Sequence, residues 1–359
     1  MKKLLIMLTL LTTIIVLSAC NDTTPAFTTT LSVNPYERVD WNTTTHNLAN
    51  LHTHTTNSDG ASMPHEVVEY YRALGYDILA LTDHDQYTYD WNFSTIDASY
   101  EDVDPGDMLA IPGNEFSEHE HDVVALFTDY MYEEGTTITT SMDRIIEDEG
   151  MMFMAHPGRY WKIYSTYESG DEFSPSWYMN FFNTYPLESL LGIEVFNRQD
   201  NYENDRALWD RLLSESMPER PIWGFGNDDF HGADGDSRIN WSFNHFLVDT
   251  LSIDTFKESM IQGAFYASHT NQVDDDAPMI LEIIVNEDER YIEIVADEYE
   301  SIRWFSGTDE TLNTSIEVDE GKRFYYGNFE GTYVRAEIWK DELNKNVTVT
   351  QPFGFTHED

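Results

Sequence analysis

His52 and His54 stand two residues apart, directly after Leu48-Ala49-Asn50-Leu51. Along a strand, residues i and i+2 point the same way, so the two imidazoles share a face. Paired imidazoles of this kind suit a divalent metal. The same arrangement, an apolar run ending in a histidine or carboxylate, recurs along the chain. Asp59 follows in Ser58-Asp59-Gly60, and His84 follows Ile78–Leu81 within Thr82-Asp83-His84-Asp85. Glu115 follows Ile111-Pro112-Gly113-Asn114, and His156 follows Met152-Phe153-Met154-Ala155. Asp229 and His231 follow Trp223-Gly224-Phe225-Gly226. A lone histidine at such a place is ordinarily a core or surface residue; repetition of the pattern points to a convergent metal centre. A metal lowers the pKa of bound water to about 7, so the chemistry within reach is hydrolysis at neutral pH. Mixed histidine and carboxylate ligation suits zinc, manganese or iron better than magnesium.

Such residues converge only if the elements before them run side by side. From Asn47 to about Asn271, short apolar runs alternate with helical patterns, a βα signature. Pro64 opens one helix; Val67, Tyr71 and Leu74 give it an apolar face, and Gly75 closes it. Strands are expected at Ile78–Leu81, Met108–Ile111, Val123–Phe127, Met151–Ala155, Gly192–Phe196 and Ile222–Phe225. In a barrel of parallel strands, all the C-terminal ends open on one face. The stretch Tyr164–Leu190 is aromatic and irregular, and is read as a loop or helical insertion near that mouth. After about Asp276 the pattern becomes period-2 (Met279, Leu281, Ile283, Val285; Ile292, Ile294, Ala296; Val334, Ala336, Ile338), predicting a small antiparallel β domain. Asp274-Asp275-Asp276 is read as a solvated boundary rather than a calcium site.

In order, His52-Thr53-His54, Ser58-Asp59-Gly60, Thr82-Asp83-His84-Asp85, Gly113-Asn114-Glu115, Ala155-His156-Pro157 and Asp228-Asp229-Phe230-His231 resemble the motifs of the polymerase-and-histidinol-phosphatase (PHP) superfamily. The resemblance covers roughly residues 47–271. It implies a distorted (β/α)7 barrel, placed over 47–275; the period-2 region over 276–359 is expected to be the antiparallel, β-sandwich-like domain. It also implies two or three divalent metals and hydrolysis of a phosphoester bond. Carried over, His52, His54, Glu115 and Asp229 would hold one metal. Glu115 would bridge to a second, also bound by His156 and by a residue after Glu115. In Ser117-Glu118-His119-Glu120-His121-Asp122 that residue is expected to be His121, with His119 and Asp122 as alternatives. Asp59, His84 and His231 would hold the third. Asp229 pairs with His231 as Asp-x-His and is favoured over Asp228. Glu115, His231 and Arg159 are expected to act in catalysis. Arg159 and Arg198 are candidates for phosphate contacts, each with an ordinary ion pair as the alternative. Asp83 and Asp85 are expected to orient His84. Asn197 is a further candidate for the site, and His269 the one other histidine of interest.

Lys2 and Lys3, the uncharged run Leu4–Leu17 and Ser18-Ala19-Cys20 read as a secretory signal. Leu17-Ser18-Ala19-Cys20 resembles a bacterial lipobox, which implies cleavage before Cys20, lipid on its sulfur, and an extracytoplasmic, membrane-anchored enzyme. Residues 21–46 are read as a tether. The 359-residue chain holds 20 Lys+Arg against 66 Asp+Glu, a formal net charge of −46, which disfavours a nucleic-acid docking surface. With 41% hydrophobic residues it nevertheless has material for a core. A single cysteine excludes an intrachain disulfide framework. No Walker-A pattern or Gly-x-Ser-x-Gly elbow competes with the metal reading. The expected substrate is a small phosphomonoester or phosphodiester; an amidohydrolase using the same centre and a non-catalytic surface binding module are the alternatives.

Overall fold

The computed structural model describes residues 28–358 apart from 86–90, 93, 95–101, 162–169, 203, 233–238, 272–274, 310–313 and 344. The segment read as a signal sequence, Cys20 and Asp274 lie outside the described residues. No helix among the described residues is long and apolar enough to cross a membrane.

The chain is a mixed α/β protein with a large sheet and few helices. β1 (Thr28–Val33) and β2 (Thr45–Asn50) precede α1 (Pro64–Ala73), β3 (Ile78–Leu81) and β4 (Leu109–Phe116). β5 (Val123–Leu126), α2 (Ile138–Glu147), β6 (Met151–Met154), α3 (Pro175–Thr184) and β7 (Leu190–Asn197) follow. Then come α4 (Asn204–Ser216), β8 (Trp223–Asn227), β9 (Ser242–Val248), α5 (Ile253–Gln262) and β10 (Phe265–His269). Pro64 stands at the first helical position of α1, the Glu66 carboxylate accepts from the Met63 N–H at 2.8 Å, and Gly75 ends the helix at φ 82°. Val67, Val68 and Tyr71 are its buried face; Leu74, expected on it, is exposed.

β2, β3 and β4 pair in parallel, as do β6, β7 and β8. The (β/α)7 expectation departs from this in two ways. β5, expected as one more parallel strand, runs antiparallel to both β4 and β6. Only the short segment Ser117–Asp122 joins β4 to β5, and a connection that short permits a hairpin but no parallel crossover. Second, the backbone ladder is not closed. The path ends at β8 on one side and continues through β9 and β10, which are antiparallel to their neighbours. Side chains span the remaining gap: Asn227 Oδ1 accepts from the Leu51 N–H at 2.9 Å, and Asn244 donates to Gly226 O and accepts from Gly226 N.

The sequence boundary at 275/276 is not a break in the sheet. Beyond it lie β11 (Ile280–Asn286), β12 (Tyr291–Ala296), β13 (Ser301–Asp309), β14 (Thr314–Glu320), β15 (Arg323–Tyr325), β16 (Tyr333–Asp341), β17 (Asn346–Thr350) and β18 (Phe353–Glu358). β17 pairs with β10, so the large sheet runs on into the C-terminal region. An open edge at β10 would leave backbone N–H and C=O groups unpaired, and β17 satisfies them. β11, β12 and β15 form a separate small sheet. The layers share a core of Ile283, Ile292, Ile294, Trp304, Phe324, Val334, Ile338 and Phe355.

The stretch expected as a tether is structured from Thr28 onward. β1 pairs antiparallel with β18, and buried Tyr36 donates to Phe265 O at 3.0 Å and accepts from the Gln351 N–H at 2.9 Å. Its polar composition hides this, because β1 needs only one buried face against β18.

Candidate metal centre

The tips of β2 and β8 lie side by side, and this brings the motifs together. Thr53 bridges to Phe230, the His54 N–H donates to Phe230 O at 2.8 Å, and the Thr82 N–H donates to Thr53 O. His52 and His54 point the same way as expected, with ring centroids 5.1 Å apart. Gly60 permits the loop to turn back here, since a Cβ on it would lie 2.6 Å from His54 O. Three residues of the site, His156 (φ 25°), Arg198 (φ 52°) and Asp229 (φ 46°), occupy left-handed backbone conformations. Such strain costs about 1–3 kcal/mol per residue and collects where side chains must be aimed.

Glu115 is at the middle. Its Oε2 lies 3.2 Å from His52 Nε2, 3.2 Å from His54 Nε2 and 3.1 Å from His84 Nδ1, while Oε1 lies 3.2 Å from His156 Nε2. Asp229 Oδ1 lies 3.3 Å from His54 Nε2 and 3.6 Å from His52 Nε2. Asp59, on the exposed side, lies 3.5 Å from His84 and 3.3 Å from His231. Four groups present ligand atoms within 4.8 Å of one another: His54, Asp59, His84 and His231; His52, His54 and Glu115; His52, His156 and Asp229; Glu115, Asp122 and His156.

The last group corrects an expectation. His121 does not enter the centre. Its Nδ1–H donates to Asp122 O at 2.7 Å and its Nε2 accepts from the Tyr178 hydroxyl at 3.0 Å. The ring lies against Tyr160, Phe173, Trp177 and Tyr178, and burial pushes its pKa down to about 3. His119 is bonded to Ser141 Oγ at 2.8 Å at the edge of the cleft. Asp122 instead turns inward, 3.6 Å from His156 Nε2. His121→Ala should therefore act as a core truncation, costing about 2–5 kcal/mol in denaturant unfolding with metal content retained. Asp122→Asn should show the reverse: metal content falls while the unfolding midpoint holds. Equal metal loss in both variants would refute this assignment.

The other flanking residues also have defined tasks. Asp228 is buried and accepts from the N–H groups of Asn240, Trp241 and Ser242 and from Tyr71 Oη; it braces the loop, and Asp229 faces the centre. Asp83 accepts from Thr55 N, Thr55 Oγ1 and Ser58 Oγ, and Asp85 from Ser117 N and Oγ. Both pin loops rather than orient His84. His269 is bonded to Ser242 Oγ through Nδ1, away from the ligand groups. Asn197 bridges Glu194 and Asp229, at 2.9 and 3.4 Å. Arg159 pairs with Asp122 at 3.0 Å and Arg198 with Asp229 at 2.8 Å. Both arginines also line a cleft of about 610 Å³ over the centre, together with Ser117, Tyr160 and Tyr202. Each arginine thus makes an ion pair and also faces the cleft.

The donor chemistry of this buried cluster suits a cation. Burial pushes the Glu115 carboxyl up, but the charge of His52 and the close contacts of His156, His52 and His54 hold it well below the usual carboxylate range. Burial pushes His54 down, but Asp229 and Glu115 outweigh it and raise the imidazole to about 9. With no ion, carboxylates are held ionised against protonated imidazoles, and a metal would displace those protons. His52 Nε2, both nitrogens of His54, His84 Nδ1 and Glu115 Oε2 are buried without an aligned hydrogen bond. Each such atom costs about 1–3 kcal/mol. This donor set fits divalent ions of the zinc, manganese or iron type.

Glu194 lies outside the motifs. It lies in Leu190–Asn197, a strand buried along its whole length, and a lone carboxylate in such a run is the signal for it.

No family model matches the chain, and no curated protein matches it. Among solved structures, the chain is similar to a two-domain protein from Bacteroides vulgatus containing a predicted PHP-like metal-dependent phosphoesterase, at 16% identity and TM-score 0.49, covering 90% of this chain and 98% of that one. It is similar to a protein from Bifidobacterium adolescentis that is itself only predicted to be a metal-dependent phosphoesterase, at 15% identity and TM-score 0.38, covering 60% of this chain and 96% of that one. A third is an amidohydrolase from Chromobacterium violaceum with bound sulfate and no metal, at 17% identity and TM-score 0.37, covering 52% and 89%.

Proposed function

We propose that this chain is a metal-dependent phosphoester hydrolase, exported and held at the membrane by lipid on Cys20. The observation that carries the hydrolase reading is the convergence of His52, His54, His84 and His156 on the two oxygens of Glu115, beneath a cleft that Arg159 and Arg198 also line. His52, His54, Glu115 and Asp229 would hold one ion, Glu115, Asp122 and His156 a second, and Asp59, His84 and His231 a third. Bound there, the ions would acidify water to a pKa of about 7 and neutralise phosphate charge. Arg198 fixes Asp229 through Nε and places Nη2 3.3 Å from His231 Nδ1, so its guanidinium faces both the centre and the cleft. Arg159, half-exposed, offers a planar fork for phosphate oxygens that an ammonium group would lack. The chain's net charge of −46 does not repel an anionic substrate from such a site, because the ions are the largest local charges.

The test is elemental analysis of the purified chain, followed by hydrolysis of p-nitrophenyl phosphate and bis-p-nitrophenyl phosphate with and without a chelator. At least two equivalents of metal and chelator-sensitive turnover are expected, with the activity recovered in the membrane fraction of cells. A protein inert after supplementation with zinc, manganese and iron would overturn the reading.

A further inference from the structure

Glu194 belongs to none of the four ligand groups, yet its carboxylate meets both sides of the centre. It is completely buried on β7. Its Oε1 accepts from His52 Nδ1 at 2.9 Å and from Asn227 Nδ2 at 2.9 Å. Its Oε2 accepts from the His156 backbone N–H at 2.8 Å and from Asn197 Nδ2 at 2.9 Å. An ionised carboxylate has no donor of its own, and here four donors surround it. That arrangement tolerates a buried charge, because hydrogen bonds replace the lost water.

Two consequences follow from where those donors lead. In the neutral ring, a proton on His52 Nδ1 leaves Nε2 bare to ligate, and Nε2 is the atom 3.2 Å from Glu115 and 3.6 Å from Asp229. The other oxygen holds the peptide of His156 at its left-handed turn (φ 25°), whose side chain sits on the opposite side of Glu115. We propose that Glu194 is the positioning residue of the centre: one carboxylate that fixes the tautomer of His52 and the backbone of His156, and so sets two metal half-sites from a single buried point. A carboxylate behind a ligating histidine raises affinity by orienting the ring, and its loss typically costs about 10- to 100-fold in metal binding. Here the second oxygen extends that control to a second ligand through the main chain. Asn197 and Asn227 fill the remaining lone pairs, which keeps the carboxylate from rotating away from either histidine.

The inference rests on the metal-centre reading, and the experiment separates the two. Zinc and manganese affinities of the intact chain are measured by chelator competition for wild type and Glu194→Gln. The amide matches the carboxylate in shape, but its NH₂ must face either the His52 and Asn227 donors or the His156 and Asn197 donors. A fall in affinity of about 10- to 100-fold in at least one bound equivalent is expected, with the far-UV spectrum and unfolding midpoint near wild type. Unchanged affinity in a variant whose wild type binds metal would overturn the role of Glu194. A wild type that binds neither ion would instead overturn the metal centre. Should Glu194→Gln fail to fold, the nitrogen NMR shifts of His52 in the metal-free wild type decide: Nδ1 protonated is expected, and a neutral ring protonated on Nε2 would refute the proposal.

Discussion

Replacement of Glu115 by alanine is expected to lower kcat/KM by at least about 10³-fold, ~4 kcal/mol of transition-state stabilisation. Glu115 meets four imidazoles within 3.2 Å: His52, His54 and His84 share Oε2, and His156 meets Oε1. Removing it takes a bridging ligand from two proposed ions at once and leaves four imidazoles converging on an empty space. Metal content should drop with activity, which distinguishes lost ligation from a mere misfit of substrate. Glu115→Gln keeps the volume and one acceptor oxygen, so it should retain more metal than alanine while remaining strongly impaired. Steady-state kinetics alongside elemental analysis of each variant checks this. An alanine variant with full metal and full turnover would show that the centre lies elsewhere.

The second large effect is on stability. Arg335 on β16 is fully buried and meets Asp210 on α4 through two hydrogen bonds, Nε to Oδ1 at 2.8 Å and Nη2 to Oδ2 at 2.6 Å. Tyr333 Oη also donates to Asp210 Oδ1 at 2.9 Å. Asp210→Ala leaves a buried guanidinium with Glu337 and Ser315 as its described hydrogen-bond partners, at 2.8 and 3.3 Å. Breaking one side of a buried pair costs about 3–5 kcal/mol, and here the remaining guanidinium is desolvated and only partly compensated by Glu337. Replacing both partners with apolar residues, as in Asp210→Leu with Arg335→Met, should recover much of that loss. Urea unfolding of the two variants measures both values. A single variant as stable as wild type would mean that solvent reaches Arg335. The pair also bears on the site, since α4 carries Arg206, which holds Asp200 through two hydrogen bonds just after Arg198.

The candidate metal-ligand set is largely legible in the residues because its signals are local. His52 and His54 share a face because strand periodicity is two. Glu115, His156 and Asp229 end or follow apolar runs because strand termini are where a buried element meets the surface. The helix from Pro64 to Ala73 carries its own start and stop. Where two neighbours compete, locality fails. Asp228 and Asp229 point to different places, and the sequence separates them only through the Asp-x-His spacing.

His121 and Asp122 are decided by tertiary structure alone. They are adjacent, and the imidazole is the better ligand by type. The aromatic wall of Trp177 and Tyr178, supplied by α3 more than fifty residues later, captures the imidazole and leaves the carboxylate for the centre. The direction of β5, the continuation of the large sheet through β10 into β17, and the pairing of β1 with β18 are likewise settled by which distant edge supplies hydrogen-bond partners. Glu194 is the clearest case: its residue type is ordinary, and its four partners come from the segment after β2, from β7, from β8 and from the turn after β6. Sequence by itself determined which side chains could bind metal and roughly where each strand would present them. Only the tertiary structure decided which ones meet, because a backbone edge or a buried lone pair is satisfied by whatever the fold brings to it, and that information is not local.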